Sequence, residues 1–260
     1  SLMMNKITFS MTYYGQVDRL QYQLDFIDKL PAKTKQDVKL QILNDGYNDG
    51  GVFESLLELY KDRLDLKGYK ITTDIGFNSH GARNLLMMES ETHWNMLMDI
   101  DVYMEPTMVT AMVRNPLKEE NIYVFKVAFD HPDDPNDYDH VDPKKILKFI
   151  SHPNTWLITK PAFWSGGGYD IEFTGMRHGD AEFFLSLDRY KYDHVVFHPE
   201  DKVKHEIHVR NPNRNRSYLN QATEHVKNLG RTVDFVKKRN EDKDRKHKKR
   251  LICFPWKRVL

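Results

Sequence analysis

Four β-rich apolar runs in the first hundred residues alternate with stretches of helical apolar spacing, and this alternation leaves the chain few architectures. Lys6 to Thr12 reads as a strand and Val17 to Leu30 as a helix; Val38 to Leu43 is a strand closed by Asn44-Asp45-Gly46, and Gly51 to Leu64 is a helix. Tyr69 to Thr73, His80 to Glu89 and His93 to Met98 then repeat the order strand, helix, strand. Strands alternating with helices predict a mostly parallel sheet covered on both faces. Ligands of such sheets sit beyond the carboxyl ends of the strands, so Thr12-Tyr13-Tyr14, Asn44-Asp45-Gly46 and Asp99-Ile100-Asp101 are expected to converge on one crevice. With 260 residues, 40% of them hydrophobic, the chain can fill the core of one large α/β domain.

The run Met96-Leu97-Met98 breaks into Asp99 and Asp101, two carboxylates one residue apart. In an extended segment residues i and i+2 project from the same side, so both could face one hard divalent cation, which could in turn carry a diphosphate. The same tripeptide also occurs as an ordinary strand end with two solvated aspartates.

Beyond residue 115 the pattern is less regular. Ile122 to Ala128 and Thr155 to Thr159 read as strands, and Pro143 to Ile150 and a segment starting near His178 as helices. Asp130 to Asp139 is an acidic, proline-broken loop, read as a solvated connection rather than a cation site. Phe163-Trp164-Ser165-Gly166-Gly167-Gly168-Tyr169-Asp170 reads as a flexible aromatic loop. No repeat or linker divides the chain.

The net charge of +1 hides an uneven distribution. Residues 237–258 carry 11 Lys or Arg against 3 Asp or Glu, a net of +8, which leaves −7 for the rest. This tail mixes basic residues with Leu251, Ile252, Phe254 and Trp256, so it could contact an anionic membrane surface, or be a solvated helix end whose apolar residues pack on the domain. Without a recognisable binding module, nucleic acid is not an expected partner. No apolar stretch reaches the roughly 20 residues that span a bilayer, and no secretory leader pattern is present. The single Cys253 excludes an internal disulfide. A cytoplasmic protein is expected, with membrane association at the inner face as an added option.

On several of these segments the chain resembles the nucleotide-sugar glycosyltransferases of the GT-A fold, closest to the family 2 type, over roughly residues 6 to 210. Ile7 to Tyr14 looks like the family's opening strand, which places Thr12, Tyr13 and Tyr14 near the nucleotide. Leu43-Asn44-Asp45-Gly46-Tyr47-Asn48-Asp49 looks like its Asp-Asp-Gly-Ser-x-Asp turn, which implies that Asp45 accepts from the uracil imide, with Asn44 in place of the first Asp. Gly81-Ala82-Arg83-Asn84 resembles the family's Gly-x-x-x-Ala-Arg-Asn signature and implies that Arg83 lies near the nucleotide or diphosphate. Asp101 is implied as the direct metal ligand, with Asp99 nearer the ribose or a metal-bound water. The glycine-rich segment with Trp164, Gly167, Gly168 and Tyr169 looks like the sugar and acceptor loop, whose aromatic rings would stack on a sugar. Gly175-Met176-Arg177-His178-Gly179-Asp180 looks like the motif of the catalytic base, Asp180, with Gly179 where the family usually has Glu. His205-Glu206-Ile207-His208-Val209-Arg210-Asn211 resembles the metal-binding segment of β-1,4-galactosyltransferases, with His208 and then His205 as the third ligand. Imidazole would favour Mn²⁺ over Mg²⁺.

The resemblance implies a GT-A (Rossmann-like) domain over residues 1–215, a helical basic extension over 216–260, and a metal-dependent inverting transfer from a UDP-sugar to a glycan hydroxyl. UDP-galactose and UDP-N-acetylgalactosamine are the favoured donors. Two other readings remain: a nucleotide-sugar-binding module without activity, and a nucleotidyltransferase. The latter normally carries a glycine- and lysine-rich phosphate loop, which Tyr13-Tyr14-Gly15-Gln16 is not. For Asp180 the alternative is a helix-end charge favoured by the macrodipole.

Overall fold

The strand β1 (Ile7–Tyr13) is buried along nearly its whole length, polar Thr8 and Ser10 included, because it lies in the middle of the sheet with layers on both sides. It runs parallel to β2 (Val38–Asn44), with Ile7 opposite Val38, and parallel on its other edge to β4 (Trp94–Leu97), with Ile7 opposite Trp94. Between them in sequence come α1 (Val17–Asp28), the short α2 (Ala32–Lys35), α3 (Val52–Tyr60), β3 (Leu66–Ile71) and α4 (Ser79–Glu89). The chain thus winds outward from β1 to β2 and β3, then crosses back to β4. That reversal between β1 and β4 is the switch point at which doubly wound sheets open a crevice.

The structure, a computed structural model, describes residues 4–129, 149–174, 179–188, 190–197, 209–211, 252 and 254–260. The second half adds β5 (Tyr103–Met104), α5 (Pro106–Arg114), β6 (Asn121–Phe129), β7 (Phe149–Thr159), α6 (Lys160–Trp164), α7 (Gly179–Ser186), β8 (Asp193–Val196), β9 (Val209–Asn211) and β10 (Trp256–Arg258). Together they make one ten-stranded sheet in the order β10-β3-β2-β1-β4-β7-β6-β9-β5, with β8 paired to β6. Parallel pairs form its β1 to β4 half, while β7 runs antiparallel between β4 and β6.

The alternation of side chains sorts the core into two layers. Ile7, Phe9 and Met11 of β1 and Met96 of β4 face α1, α3 and α5, where Leu20, Leu24 and Ile27 of α1 supply a helical stripe. Leu97, Trp156 and Ile158 face the opposite way, toward α6 and α7 through Phe163 and Phe183. On that same side Leu43, Tyr69 and Ile71 meet Ala82, Leu85 and Leu86 of α4. Each such fully buried side chain contributes about 1.5–3 kcal/mol of transfer free energy.

Several expectations shift. β3 begins at Leu66 and ends at Ile71, so Thr72 and Thr73 lie past it. Phe149 and Ile150, expected at the end of a helix from Pro143, open β7 instead; residues 143–148 lie outside the described residues, as does the acidic loop 130–139. Most of the extension 216–260 also lies outside them, but its end is a strand rather than a helix. There Trp256 pairs antiparallel with Ile71, and Phe254 is buried against α4. Three of the four apolar residues considered for a lipid surface thus pack on the domain, since Ile252 and Trp256 lie on the same cluster as Phe254; Leu251 lies outside the described residues. Among the described residues no helix is long and apolar enough to cross a membrane.

Candidate active site

Beyond β4 the chain turns, and the turn brings the two carboxylates together. The backbone N–H of Val102 donates to the carbonyl of Asp99 (3.1 Å), closing Asp99-Ile100-Asp101-Val102, while Ile100 and Val102 are buried. Strand alternation therefore does not set the direction of Asp99 and Asp101; a hydrogen-bonded turn does. Gln23 on α1 pins it, its Nε2 donating to the carbonyls of Ile100 (3.0 Å) and Val102 (2.9 Å). Gln23 is itself buried, a polar residue on an otherwise apolar stripe. That mismatch was the available sequence signal for it.

The withdrawal of water, followed by the negative charge of Asp99, pushes the Asp101 carboxyl up to about 7, against the opposing pull of Arg19 and Arg83. Carboxylate oxygens suit a hard cation such as Mg²⁺ or Mn²⁺. Among the described residues no cluster of three or more metal-ligating side chains exists. The expected further ligands, His208 and His205, lie outside the described residues; the next residue, Val209, pairs in β9 with Met104 of β5, and Arg210 with Tyr103.

Arg83 comes from the first turns of α4, and its guanidinium Nη2 donates to Asp99 Oδ1. The pair is nearly shielded on the arginine side, where the side chain is 7% exposed. Arg83 thus acts first on the Asp99–Asp101 turn, and its Cζ also lies 5.4 Å from the ring centroid of Tyr169.

Asp45 follows β2 and is 3% exposed. The backbone N–H of Asn78, just before α4, donates to its Oδ2 (2.9 Å). Its Oδ1 is buried without a hydrogen-bond partner among the described residues, so an imide N–H is a chemically fitting occupant of that acceptor. Burial raises the Asp45 carboxyl to about 8, which the Asn78 bond only partly offsets. Its neighbour Asn44 accounts for its own departure from the family pattern: Oδ1 accepts from Tyr47 N–H (2.9 Å) and Nδ2 donates to Tyr47 O (2.9 Å), a double role an Asp could not fill.

Of the three residues ending β1, Thr12 is half-buried. Tyr14 donates through its hydroxyl to Asp74 (2.6 Å) and meets Tyr47 edge-on at 5.0 Å, so these rings and Asp74 lie around Asp45. Asp74 follows β3 and was missed by sequence reasoning. Tyr13 points away: it is fully buried, stacked on Phe53 at 5.0 Å, and donates to Asp49 (2.7 Å), so a direct nucleotide contact does not fit its position.

The glycine-rich segment is closely packed on its neighbours. Gly168 takes a left-handed φ of +81°, and a Cβ there would lie 2.6 Å from Trp164 and 2.7 Å from Asn84 Oδ1. Gly167 is also left-handed, with φ +82°. Tyr169, expected to stack on a sugar, is fully buried; its ring lies 4.1 Å from that of Phe183 and 5.5 Å from His80. Trp164 is half-buried, edge-on to Phe163 at 4.7 Å, and keeps some exposed ring.

Asp180 sits in the first turn of α7, half-exposed, with Oδ1 accepting from Ala181 N–H (2.9 Å). Its charge and that of Asp99 both raise the Tyr169 phenol, behind the larger effect of burial, so both carboxylates act on the same ring. Gly179 before it has a packing cause, since a Cβ there would lie 2.4 Å from His80 Nε2. The imidazole of α4 fills the space a larger residue would need. Residues 175–178 of the motif lie outside the described residues.

Five positions of one stretch, Asn78 to Asn84, thus meet five separate elements: Asn78 the Asp45 carboxylate, His80 the start of α7, Gly81 the C-terminal segment, Arg83 the Asp99–Asp101 turn and Asn84 the Tyr169 backbone.

Solved structures share this arrangement of strands and helices. A mannosyltransferase, PcManGT from Pyrobaculum calidifontis in complex with GDP-Man and Mn²⁺, matches with a TM-score of 0.56 at 13% identity, over 85% of this chain and 61% of its own. The fold is GT-A. TarS 1-349 of S. aureus matches with a TM-score of 0.53 at 12% identity, over 79% of this chain and 60% of that one. GalNAc-T7 with UDP, GalNAc and Mn²⁺ matches at 0.50 and 14% identity, over 71% and 39%. The chain therefore spans between 39% and 61% of the length of these neighbours. No protein-family profile and no curated protein sequence matches it.

Proposed function

We propose that this GT-A chain is a glycosyltransferase that takes a UDP-sugar with a divalent cation, Mn²⁺ or Mg²⁺, and passes the sugar with inversion to a hydroxyl of a glycan. The observation that carries this reading is the joining of Arg83 to the Asp99–Asp101 turn at the switch point, by the same helix start whose Asn78 N–H holds Asp45. Asp45 is the base-recognition residue, with Tyr14 and Tyr47 beside it. Asp99 and Asp101 would hold the cation, which when bound neutralises charge on the departing diphosphate. Arg83 keeps Asp99 in place and adds a fixed positive charge. Asp180 accepts the proton of the acceptor hydroxyl as the acceptor oxygen bonds to the anomeric carbon, and the electrons of the broken bond leave with UDP. Trp164 offers the remaining aromatic face for a sugar.

Neighbouring structures support a nucleotide-sugar donor, since they hold GDP-Man, UDP-GlcNAc, or UDP with GalNAc. UDP-galactose and UDP-N-acetylgalactosamine are the first donors to try. The test is calorimetry of UDP with Mn²⁺ and with chelator, followed by UDP release from a donor panel. Tight binding only with the cation is expected, and equal binding in chelator would remove the metal role of Asp99 and Asp101. Asp180→Asn should then lower transfer by about 10²-fold or more with UDP affinity unchanged. Wild-type transfer by that variant would leave the inverting reading without its base.

A further inference from the structure

The C-terminal segment enters the fold at a point that matters for the site. β10 covers the edge of β3, with Lys257 opposite Lys70 and Arg258 opposite Tyr69. Flanking bonds extend the pairing: Thr72 N–H donates to Pro255 O (3.0 Å), Val259 N–H to Gly68 O (2.9 Å) and Gly68 N–H to Leu260 O (3.3 Å). Because β10 runs against β3, Phe254 and Pro255 lie past the carboxyl end of β3, on the side where the crevice opens.

Phe254 is buried there with Leu43, Ile71, Ala82, Leu85 and Leu86. Its ring is pressed against the first turn of α4, since a Cβ on Gly81 would lie 2.6 Å from Phe254 Cε1 and 2.7 Å from Asn78 Oδ1. On one side of Gly81 stands Asn78, whose N–H holds Asp45; on the other stands Arg83, which holds Asp99. Part of the backing of this turn is supplied by a segment remote in sequence, beside the contacts of Asn78 with Thr174 and of His80 with Tyr169 and Phe173. Helix α4 gives itself little help at this end, because no side chain caps its N-terminus.

We propose that the C-terminal segment Phe254–Leu260 is a strap that positions the first turn of α4, with Phe254 as the positioning residue, and so sets the geometry of Asp45 and Arg83 for the nucleotide and its cation. The inference rests on the nucleotide reading above for its consequence, and on the packing alone for its mechanism. Fixing the turn from behind leaves Asp45 and Arg83 pre-aimed, so binding need not order them.

The test uses the full chain with Phe254→Ala, the rescue variant Phe254→Leu, and Val259→Ala as a control. Val259 belongs to the same segment but packs at Gly68, where a Cβ would lie 3.1 Å from it, away from α4. Two readouts are taken below the melting transition: amide hydrogen exchange across residues 78–86, and UDP affinity in Mn²⁺. Phe254→Ala is expected to speed exchange in the first turn of α4 and weaken UDP by about tenfold, a usual size for coupling between separate sites. Phe254→Leu should recover most of both. Val259→Ala should lower the melting temperature while α4 exchange and UDP affinity stay near wild type. If Phe254→Ala and Val259→Ala change the two readouts alike, or Phe254→Ala changes neither, the strap is only a sheet edge and the proposal fails. If the wild-type chain binds no UDP, the nucleotide reading fails on its own while exchange in α4 still decides the positioning.

Discussion

Asn84 and Tyr169 are joined twice through one amide side chain: Tyr169 N–H donates to Asn84 Oδ1 (2.8 Å), and Asn84 Nδ2 donates to Tyr169 O (2.9 Å). Both residues are fully buried. Asn84→Ala would leave a peptide N–H and a carbonyl without partners and is expected to cost about 2–4 kcal/mol. Urea unfolding measures it. A loss well under 1 kcal/mol would mean the segment finds other partners.

Asp45 makes stability depend on pH in a definite direction. Its carboxyl is raised from 3.8 to about 8, so between those values the folded chain keeps a proton that the unfolded chain has released. The contribution is fully present below the lower value and is lost as pH rises through the upper one, with a slope of at most about 1.4 kcal/mol per pH unit. Asp45→Asn cannot ionise, so its stability should fall less between pH 5 and pH 8 than that of the wild type. Parallel slopes in denaturant unfolding would contradict the assignment. An imide N–H prefers the ionised carboxylate, so UDP affinity should also rise over this range in the wild type and stay flat in the variant.

Gly179→Ala separates two forces of opposite sign. Helix propensity alone predicts a gain of about 1 kcal/mol. The 2.4 Å approach to His80 Nε2 predicts a loss of about 1–3 kcal/mol. We expect the loss, and we expect His80→Ala with Gly179→Ala to be less unstable than the two single effects added, by at least about 0.5 kcal/mol. A more stable Gly179→Ala would show that α7 does not rest on the imidazole.

Arg83→Met leaves Asp99 beside Asp101 without its nearest positive charge. A cost of about 1–3 kcal/mol is expected in chelator, below the range for a fully buried pair because the Asp99 side chain is 27% exposed. Mn²⁺ should raise the melting temperature of this variant by more than it raises that of the wild type. An equal rise in both would separate Arg83 from the cation's electrostatics.

The parallel half of the sheet was legible because strands alternate there with stretches of helical spacing, and short β-rich segments such as Ile7 to Tyr13 and Val38 to Leu43 then pair through helical crossovers. The contacts of the site were less legible. A run of glycines looks the same whether it bends freely or makes room for Trp164, Asn84 and Ser186, and only the neighbours distinguish the cases. Tyr169 illustrates the same limit, since an aromatic ring after glycines suits a sugar and a core equally well. Strand periodicity could not foresee that Asp99 and Asp101 are joined by a turn, because the bonds that fix it come from Gln23, most of a domain away in sequence. The tail was legible in part: packing of its apolar residues on the domain was one of its two readings and is what Phe254 and Trp256 do, but nothing local announces a strand partner at Ile71 in place of a helix end.

That partner also fixes an order of events during synthesis. β3 emerges early, but Trp256 to Arg258, which close its edge, are made long after it. The nascent protein can assemble the β1 to β4 sheet as it leaves the ribosome, yet the turn bearing Asn78 and Arg83 has no Phe254 behind it until then. A product that stops before Phe254 would carry the site residues in its sequence with that turn unsupported, so the crevice is completed only after synthesis has passed Phe254.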